Sequence, residues 1–434
     1  MQAKGRSTKI ALLSGVSIPV SKPLYLLLKD FLKTRLATAL MLVGLINLGF
    51  FLAQPAAQVD AASLPSSHCW EWWRTRSYVK SAVPPDVVLL GSSLMMIPIS
   101  FREADYLNEN LDAVSHDHSV YMQDMLKERA GLADLQCFNF ALPGGMISDD
   151  YMIFRALIHD DVRTRQKPKL LVIGITLRDF LESHVSSASS TNTFHYFRHF
   201  FDIDEIANIA MPEFWQKFDY WQGKVLYMVG KRLDMQVVFD AEVKKTVGVI
   251  FGRAPEKSLD DAPVLTANVA HNLKTEAEPG DYPLIPREKF LYEDNSAEYR
   301  KRFSHPSDKL FKMQSEFLSK LLNQAKADNI KVLIVNMPLT PANMSLMPVG
   351  YYDRYLQTVK TTTAQYGCAY LNLNDGKLFT SADFRDTAHM NADGGKKLID
   401  AMVAQIKGDQ GESVALAKGH SGLTTASSER TKPL

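Results

Sequence analysis

In Asp86-Val-Val-Leu-Leu-Gly-Ser-Ser-Leu94, an apolar, β-branched run passes directly into a turn of small residues. Similar short apolar runs recur along the chain and are separated by longer segments. A nearly continuous apolar run is typical of a parallel strand that is buried on both faces of a sheet. We therefore predict strands at residues 86–91, 135–140, 169–174, 330–335 and 368–373.

The segments between these runs have helical spacing. After Ser307, the apolar residues Leu310, Met313, Phe317 and Leu321 recur at intervals of three and four residues, the period of one helix face. Strands that alternate with helices imply right-handed βαβ units and a three-layer α/β sandwich around a parallel sheet. In such a sheet, functional residues lie just past the carboxyl ends of the strands.

The composition is that of a globular protein. Of the 434 residues, 46% are hydrophobic and 22% are charged, and the formal net charge is only +1. This near-neutral charge argues against nucleic acid as a partner. The three cysteines Cys69, Cys137 and Cys368 form no C-x-x-C pair and do not support a disulfide framework. Because the sequence also lacks a Gly-rich phosphate-binding motif, we predict no cofactor.

The N-terminal region has the pattern of a membrane anchor. Residues 36–53 form an 18-residue run without a charged side chain, about the length needed to cross a hydrocarbon core of ~30 Å. Lys29, Lys33 and Arg35 precede this run, and the next basic residue is Arg74. The positive-inside rule then places the N-terminus in the cytoplasm and the rest of the chain outside. A buried core helix and a cleaved signal peptide are the alternatives, although the basic segment is unusually long for a signal peptide.

These patterns divide the chain into consecutive parts. The predicted parts are a cytoplasmic basic segment (1–35), a transmembrane signal anchor (36–53), a stem (54–83), an α/β domain (84–407) and a disordered tail (408–434). The connection between the third and fourth strands is too long for one crossover helix. We therefore interpret residues 182–306 as an inserted helical cap.

Two aromatic clusters leave alternatives open. Trp70, Trp72 and Trp73 in the stem either anchor the chain at the membrane interface or pack against the domain. The cap contains a second cluster, which we expect to form the core of the cap, with a substrate or membrane surface as the alternative. Its members are Phe214, Trp215, Phe218, Tyr220, Trp221 and Tyr227.

Two short motifs carry groups suited to nucleophilic catalysis. Ser93 follows the first strand on a tight turn, where its hydroxyl is exposed and the amides of the next helix can stabilise an oxyanion. By itself this motif is also an ordinary turn with a helix cap. Asp386 precedes His389 by three residues. Its carboxylate can therefore accept the Nδ1 proton and leave Nε2 as a base.

Together these motifs resemble the SGNH (GDSL-like) hydrolase superfamily, whose members have a flavodoxin-like three-layer fold. Gly91-Ser-Ser-Leu94 resembles the first family block, with Ser92 in place of the Asp of that block, and implies Ser93 as the nucleophile. Asp386 and His389 match the last block, Asp-x-x-His, and are implied as the other two catalytic residues.

The two middle blocks of the family match less evenly. The segment Asn139-Phe-Ala-Leu-Pro-Gly144 resembles the second block and implies that the Gly144 amide donates to the oxyanion beside the Ser93 amide. The third block should place an Asn after the third strand, but Thr176 stands there, and its hydroxyl is a candidate third donor. Arg178 is a candidate for binding an anionic group of the substrate, or else it forms a local ion pair with Asp179.

The anchor and the external domain together resemble membrane-anchored acyl-transfer proteins of bacterial envelopes. These include the D-alanyl transfer protein of teichoic acid synthesis and the acetyltransferases of exopolysaccharide assembly. The resemblance implies a single-pass protein of the bacterial cell membrane, an acyl ester or polysaccharide substrate, and a multi-spanning acyltransferase as a partner. We predict a serine esterase or O-acyltransferase. The alternative is a catalytically silent scaffold or binding protein in envelope polysaccharide assembly.

Two histidine pairs have spacings that suit metal ligands. These are His116 with His118, and His195 with His199. Neither pair has a convincing third ligand nearby in the sequence, so a solvated turn and a helix face are the better interpretations. We predict no metal site.

Overall fold

The computed structural model describes residues 34–54, 69–133, 135–159, 167–198, 200–231, 277–289 and 291–421, with the isolated positions 235, 239, 243 and 246, and it describes side chains as far as residue 408. Nearly all of the predicted cytoplasmic segment, and residues 55–68 of the predicted stem, lie outside the described residues.

A parallel sheet of five strands forms the centre of the domain. The strands are β1 (Val87–Gly91), β2 (Cys137–Asn139), β3 (Leu170–Ile175), β4 (Lys331–Asn336) and β5 (Ala369–Asn372). Their order in the sheet is β2-β1-β3-β4-β5, the order of flavodoxin-like folds. All five strands lie at the positions predicted from the apolar runs, and the predicted fold class is confirmed.

The helices fill the segments between the strands. In chain order they are α1 (Arg35–Ala53), α2 (Trp70–Lys80), α3 (Ser93–Leu107), α4 (Val120–Ala130), α5 (Ile147–Ile153, continued by a π-helical turn, Phe154–His159), α6 (Arg178–Leu181), α7 (Asn192–Phe197), α8 (Asp204–Ala210), α9 (Phe214–Val225), α10 (Tyr227–Gly230), α11 (Ser296–Arg302), α12 (Asp308–Ala327), α13 (Pro341–Met344), α14 (Tyr351–Tyr366) and α15 (Ala392–Ser421). Short 3₁₀ turns occur at Ala188–Ser190 and Ser381–Asp383, and Leu111–Asp112 pairs with Pro283–Leu284 in an antiparallel ribbon.

Two groups of helices cover the sheet and make the three layers. α3, α4 and α15 pack against one another, and α12 packs against α5, α6 and α14. The strands between them carry apolar side chains on both faces, and every residue of β1 is buried. Burial on both faces is the physical reason why the strands read as continuous apolar runs rather than as alternating ones.

Helix α12 confirms the prediction made from its spacing. The Ser307 hydroxyl accepts a hydrogen bond from the Leu310 amide at 3.2 Å and so caps the helix. Leu310, Met313, Phe317 and Leu321 all lie in the core, because their spacing places them on one face.

The helical insertion between β3 and β4 holds α7 to α11 and corrects the prediction for its aromatic cluster. The side chains of Phe214, Trp215 and Trp221 are 69%, 70% and 61% exposed, so they do not form a core among the described residues. Phe218 is exposed too, whereas Tyr220 packs partly against the main core. The prediction of a cap core is wrong because α9 turns its polar side towards the protein and its apolar side away from it.

The two N-terminal helices differ in their surroundings. α1 has a mean hydropathy of 2.2 and is long and apolar enough to cross a membrane, and 6% of its apolar window is buried. In α2, Trp70 and Trp72 are each only 3% exposed, so they pack against the domain rather than facing outwards. The Trp73 indole N–H donates to the carbonyl oxygen of Ala277 at 2.7 Å.

Helix α15 continues from the end of the domain to Ser421, whereas the sequence predicts disorder from residue 408 onwards. The last thirteen residues of the predicted tail, 422–434, lie outside the described residues.

Candidate active site

The turn after β1 presents Ser93 at the carboxyl edge of the sheet. Gly91 ends the strand at a φ of +130°, and a Cβ there would lie 2.5 Å from the carbonyl oxygen of Gly174 on β3. Only glycine fits this close pairing of two strands. Ser92 then caps α3, since its hydroxyl accepts from the Leu94 amide at 3.4 Å. Ser93 follows as the first residue of the helix and is half-buried.

The packing of α15 on α3 brings the second motif to the same edge. Gly395 lies so close to α3 that a Cβ would be 2.1 Å from the carbonyl oxygen of Pro98. The loop before α15 folds back on itself, because the Arg385 amide donates to the His389 carbonyl oxygen at 2.9 Å. A close contact between two helices therefore carries His389 to the start of α3.

Three side chains form a continuous chain of hydrogen bonds. Ser93 Oγ lies 2.9 Å from His389 Nε2, although the two residues are 296 positions apart. His389 Nδ1 lies 2.8 Å from Asp386 Oδ2. The other carboxylate oxygen of Asp386 accepts from the amides of Ala388 and His389, at 2.8 and 2.7 Å. With Nδ1 protonated by this arrangement, Nε2 is left to accept the proton of the serine.

The surroundings of Asp386 keep its carboxyl group ionised. Burial by itself raises the pKa of Asp386, but the hydrogen bond from His389, the charge of that imidazole when protonated, and the two amides outweigh burial. The pKa of Asp386 therefore lies below its ordinary value. An ionised carboxylate can orient the imidazole and stabilise it once it takes up a proton.

The loop after β2 lies against the serine turn. The Leu142 amide donates to the Gly91 carbonyl oxygen at 2.9 Å, and the Gly145 amide donates to Leu142 at 3.0 Å. Among the described residues, no hydrogen bond is formed by the backbone amides of Ser93 or Gly144. Two backbone donors are thus available beside Ser93, at the positions that the sequence indicates for an oxyanion hole.

The turn after β3 places Thr176 differently from the expectation of a third oxyanion donor. Its hydroxyl and its amide both donate to Asp179 Oδ2, at 3.2 and 2.7 Å. A hydroxyl has only one proton to donate, so the Thr176 proton is already used within this turn. Burial raises the pKa of Asp179 to about 6, and the charge of Arg178 and the two Thr176 hydrogen bonds oppose that rise.

Arg178 is buried rather than facing a substrate. One guanidinium nitrogen donates to the carbonyl oxygens of Gly144 and Gly145, at 3.0 and 2.7 Å, and to Asp179 at 3.2 Å. The Nε atom lies 3.6 Å from Glu182. The expected role in binding an anionic group is not supported by this geometry. Arg178 instead holds the loop that carries the Gly144 amide.

Asn295 supports the histidine loop and has no signal in the sequence. Its side-chain oxygen accepts hydrogen bonds from the amide and the hydroxyl of Thr387, the amide at 3.1 Å. Thr387 also contacts Thr340, whose hydroxyl donates to the Thr387 carbonyl oxygen at 2.7 Å. These partners lie far apart in the chain, so no local spacing connects them.

Among the residues that the structure describes, no group of three or more His, Cys, Asp or Glu side chains is arranged to hold a metal ion. His118 pairs with Asp117 at 2.6 Å, and His116 lies 3.9 Å from Glu103. His199 lies outside the described residues.

Comparisons with known proteins point to one family and to several solved structures. A family model described as a protein of unknown function, DUF1574, matches residues 115–406. No curated protein sequence matches the chain significantly.

Among the solved structures, the acetylxylan esterase Axe2 from Geobacillus stearothermophilus is 11% identical, with 75% of this chain and 94% of that chain covered, at a TM-score of 0.31. A protein described as a GDSL-like lipase from Parabacteroides merdae is 10% identical, with 74% and 96% covered, at a TM-score of 0.32. The parallel pairing and the strand order described above, rather than these likenesses, establish the fold.

Proposed function

The chain belongs to the DUF1574 family, and we propose that this member is a membrane-anchored, extracytoplasmic serine esterase or O-acyltransferase. The observation that carries the proposal is the unbroken hydrogen-bond chain from Ser93 through His389 to Asp386. A nucleophile, a base and a group that orients the base, each within hydrogen-bond reach of the next, are the parts required for acyl transfer through a covalent intermediate.

The proposed reaction has two steps. Ser93 Oγ attacks the carbonyl carbon of an acyl ester while His389 Nε2 takes its proton, and the ester C–O bond then breaks. The departing alcohol takes the proton from His389 and leaves the acyl group on Ser93. Water then attacks the acyl-enzyme in hydrolysis, or a sugar or polyol hydroxyl attacks it in transfer, and Ser93 regains its proton.

The oxyanion of each step is assigned to the backbone amides of Ser93 and Gly144. Since the Thr176 hydroxyl donates to Asp179, we assign it no direct role. An oxyanion hole made of two backbone amides lacks the Asn side-chain donor that the third family block supplies. Removing one donor from such a hole costs on the order of 10²–10³ in rate, so we expect slow turnover of simple esters.

The proposed substrate is an acyl ester of an envelope polysaccharide or a related polyol. The apolar helix α1 supports this choice, because a single-pass anchor would keep the site close to a membrane surface. If the reaction is transfer, we propose that a multi-spanning acyltransferase is the partner that supplies the acyl group.

Labelling with a fluorophosphonate tests the proposal. The full chain should be labelled at Ser93 and should hydrolyse an aryl acetate, and Ser93→Ala and His389→Ala should each lose both properties. Ser100→Ala is the matched control: Ser100 is a buried serine of the same helix, its hydroxyl donates to the Met96 carbonyl oxygen at 2.8 Å, and its loss should leave the labelling intact.

The alternative function is a catalytically silent scaffold in envelope polysaccharide assembly. The engagement of Thr176 with Asp179, which leaves the hole without a side-chain donor, is the observation that favours it. A folded chain that resists labelling and hydrolyses no aryl ester would contradict the enzyme proposal in favour of the scaffold.

A further inference from the structure

Helix α9 is amphipathic, but its apolar side faces away from the protein. Its polar side faces the protein: Gln216 donates to the Ser187 hydroxyl at 2.9 Å, and Tyr220 and Lys224 both contact Asp204. A surface helix of a water-soluble protein instead turns its apolar stripe towards the core.

The outward side of α9 carries a stripe of apolar side chains. Phe214, Phe218, Trp221 and Val225 follow one another at intervals of four, three and four residues, so they form one stripe along the helix. Trp215 flanks this stripe, and all five side chains are exposed. A contiguous apolar surface with two tryptophans marks a site of interaction with something less polar than water.

A hydrogen-bonded contact joins this helix to α1. The side-chain nitrogen of Asn47 donates to the carbonyl oxygen of Val225 at 3.0 Å, and the side-chain oxygen of Asn47 accepts from the Tyr227 amide at 2.5 Å. Asn47 is the one amide side chain within the apolar run of α1. Both ends of its polar group are therefore used at the junction of α9 and α10.

This contact sets the depth of α9 relative to α1. Asn47 lies six residues before Ala53, the last residue of α1, which is about 9 Å along the helix axis. An amphipathic helix that lies in a membrane interface buries its apolar side about 5–10 Å into the headgroup and acyl boundary. The distance of about 9 Å between Asn47 and the end of α1 falls within this range of burial depths.

We infer that α9 is an interfacial helix, which lies in the outer leaflet of the bilayer crossed by α1 and sets the cap against the lipid. The occupant of its apolar side is phospholipid. Tryptophan suits this position, because its ring is apolar and its N–H finds partners at the headgroup level. The inference rests on the proposed membrane anchoring of α1, but not on the chemistry of Ser93.

Quenching of tryptophan fluorescence by brominated lipid tests this inference. The full chain is placed in nanodiscs of phosphatidylcholine or of the same lipid brominated on its acyl chains. We expect bromination to reduce the emission, and this reduction to shrink by about half or more in the variant that carries Trp215→Phe and Trp221→Phe. The three remaining tryptophans belong to α2, where Trp70 and Trp72 are buried in protein.

A matched control moves the reporter to the other side of the helix. Adding Tyr220→Trp to the double variant places a tryptophan beside position 221 but on the side that contacts Asp204. We expect bromine to quench the tryptophan introduced at position 220 less than it quenches Trp221 in the chain that carries only Trp215→Phe. Equal quenching of both reporters would overturn the proposed orientation of α9.

Two other results would contradict the inference. If the chain is inserted in the nanodisc and its emission is the same in both lipids, the apolar side of α9 is covered by a protein partner or by another segment of the chain, and the inference is wrong. If the chain fails to enter the nanodisc, the inference and the proposed anchoring fall together. The labelling of Ser93 tests the enzyme proposal separately in either case.

Discussion

The turns that follow β1 and β3 lie beside each other at the same edge of the sheet, and they use their polar groups in opposite ways. After β1, the Ser93 hydroxyl reaches across to His389. After β3, Thr176 and Arg178 are buried, and their donors are spent on Asp179 and on the loop of Gly144. The turn after β1 is therefore open to a ligand, whereas the turn after β3 holds the loop of Gly144 in place. The role of a side chain in these turns therefore depends on its hydrogen-bond partners rather than on its position in a motif.

We expect the strongest loss of activity from a change at the proposed catalytic residues. Asp386→Asn should lower kcat for an aryl ester by roughly 10²–10⁴, because an amide no longer fixes the imidazole with Nε2 free to accept a proton. Steady-state kinetics would measure this loss, with circular dichroism to check that the fold is kept. A variant with nearly full activity would show that the carboxylate does not orient His389.

Arg178→Lys tests the supporting role of the second turn. A lysine ammonium does not reproduce the planar fork of arginine, so the Gly144 loop should lose part of its support. We expect kcat to fall by about 10-fold with KM little changed, since the proposed contacts act on the oxyanion rather than on the bound substrate.

Arg302→Lys is the matched control for this effect. Arg302 shares the partner Glu182 but has no contact with Gly144 or Gly145 among those found in the described residues. Its replacement should leave kcat unchanged within about twofold. A rise in KM for Arg178→Lys, with kcat retained, would instead favour the substrate-binding role expected from the sequence.

Thr176→Val separates a structural role from a catalytic role at one residue of the turn after β3. Loss of the hydrogen bond to Asp179 should lower the free energy of unfolding by about 1 kcal/mol. Activity should stay within about threefold of the parent chain. Denaturant unfolding and kinetics of the same preparation measure the two effects, and a loss on the order of 10² in kcat would mean that Thr176 is an oxyanion donor after all.

The weakest change that we predict is a dependence of stability on pH. Burial raises the pKa of Asp179 to about 6, and the pKa values of Asp149 and Glu103 to about 7. The folded chain therefore holds these protons to a higher pH than the unfolded chain does. Between about pH 5 and about pH 7 these carboxyl groups are ionised in the unfolded chain but still partly protonated in the folded chain. The free energy of unfolding therefore falls as the pH rises through this range.

Thermal unfolding between these two pH values measures this effect, and Tm should decrease as the pH rises. Glu103→Gln should make the decrease shallower, since one of the carboxyl groups with a raised pKa is then absent. Asp386 does not contribute in this range, because its pKa lies below the ordinary value. A Tm that increases over the same range would contradict the prediction.

Much of the fold was predictable because its signals are local. The five strands could be read as apolar runs, and α12 could be read from its spacing and from the Ser307 cap. The residues of the candidate site could be named as well, since Gly91-Ser-Ser-Leu94 and the Asp386–His389 pair are short motifs. The aromatic residues of α9 could not be placed, because their helical spacing shows that one side is apolar but not which way that side faces.

Local sequence was enough to identify the strands, helix α12 and the side chains that carry reactive groups, because these properties depend on neighbours a few residues away. Which of those groups come into contact depends on the packing of distant elements. The close packing of Gly395 on α3 brings His389 to Ser93, Arg178 turns inwards to the loop of Gly144, and Asn47 joins α9 to α1. Such contacts join residues far apart in the chain, and a spacing rule that works within one element has no means of specifying them.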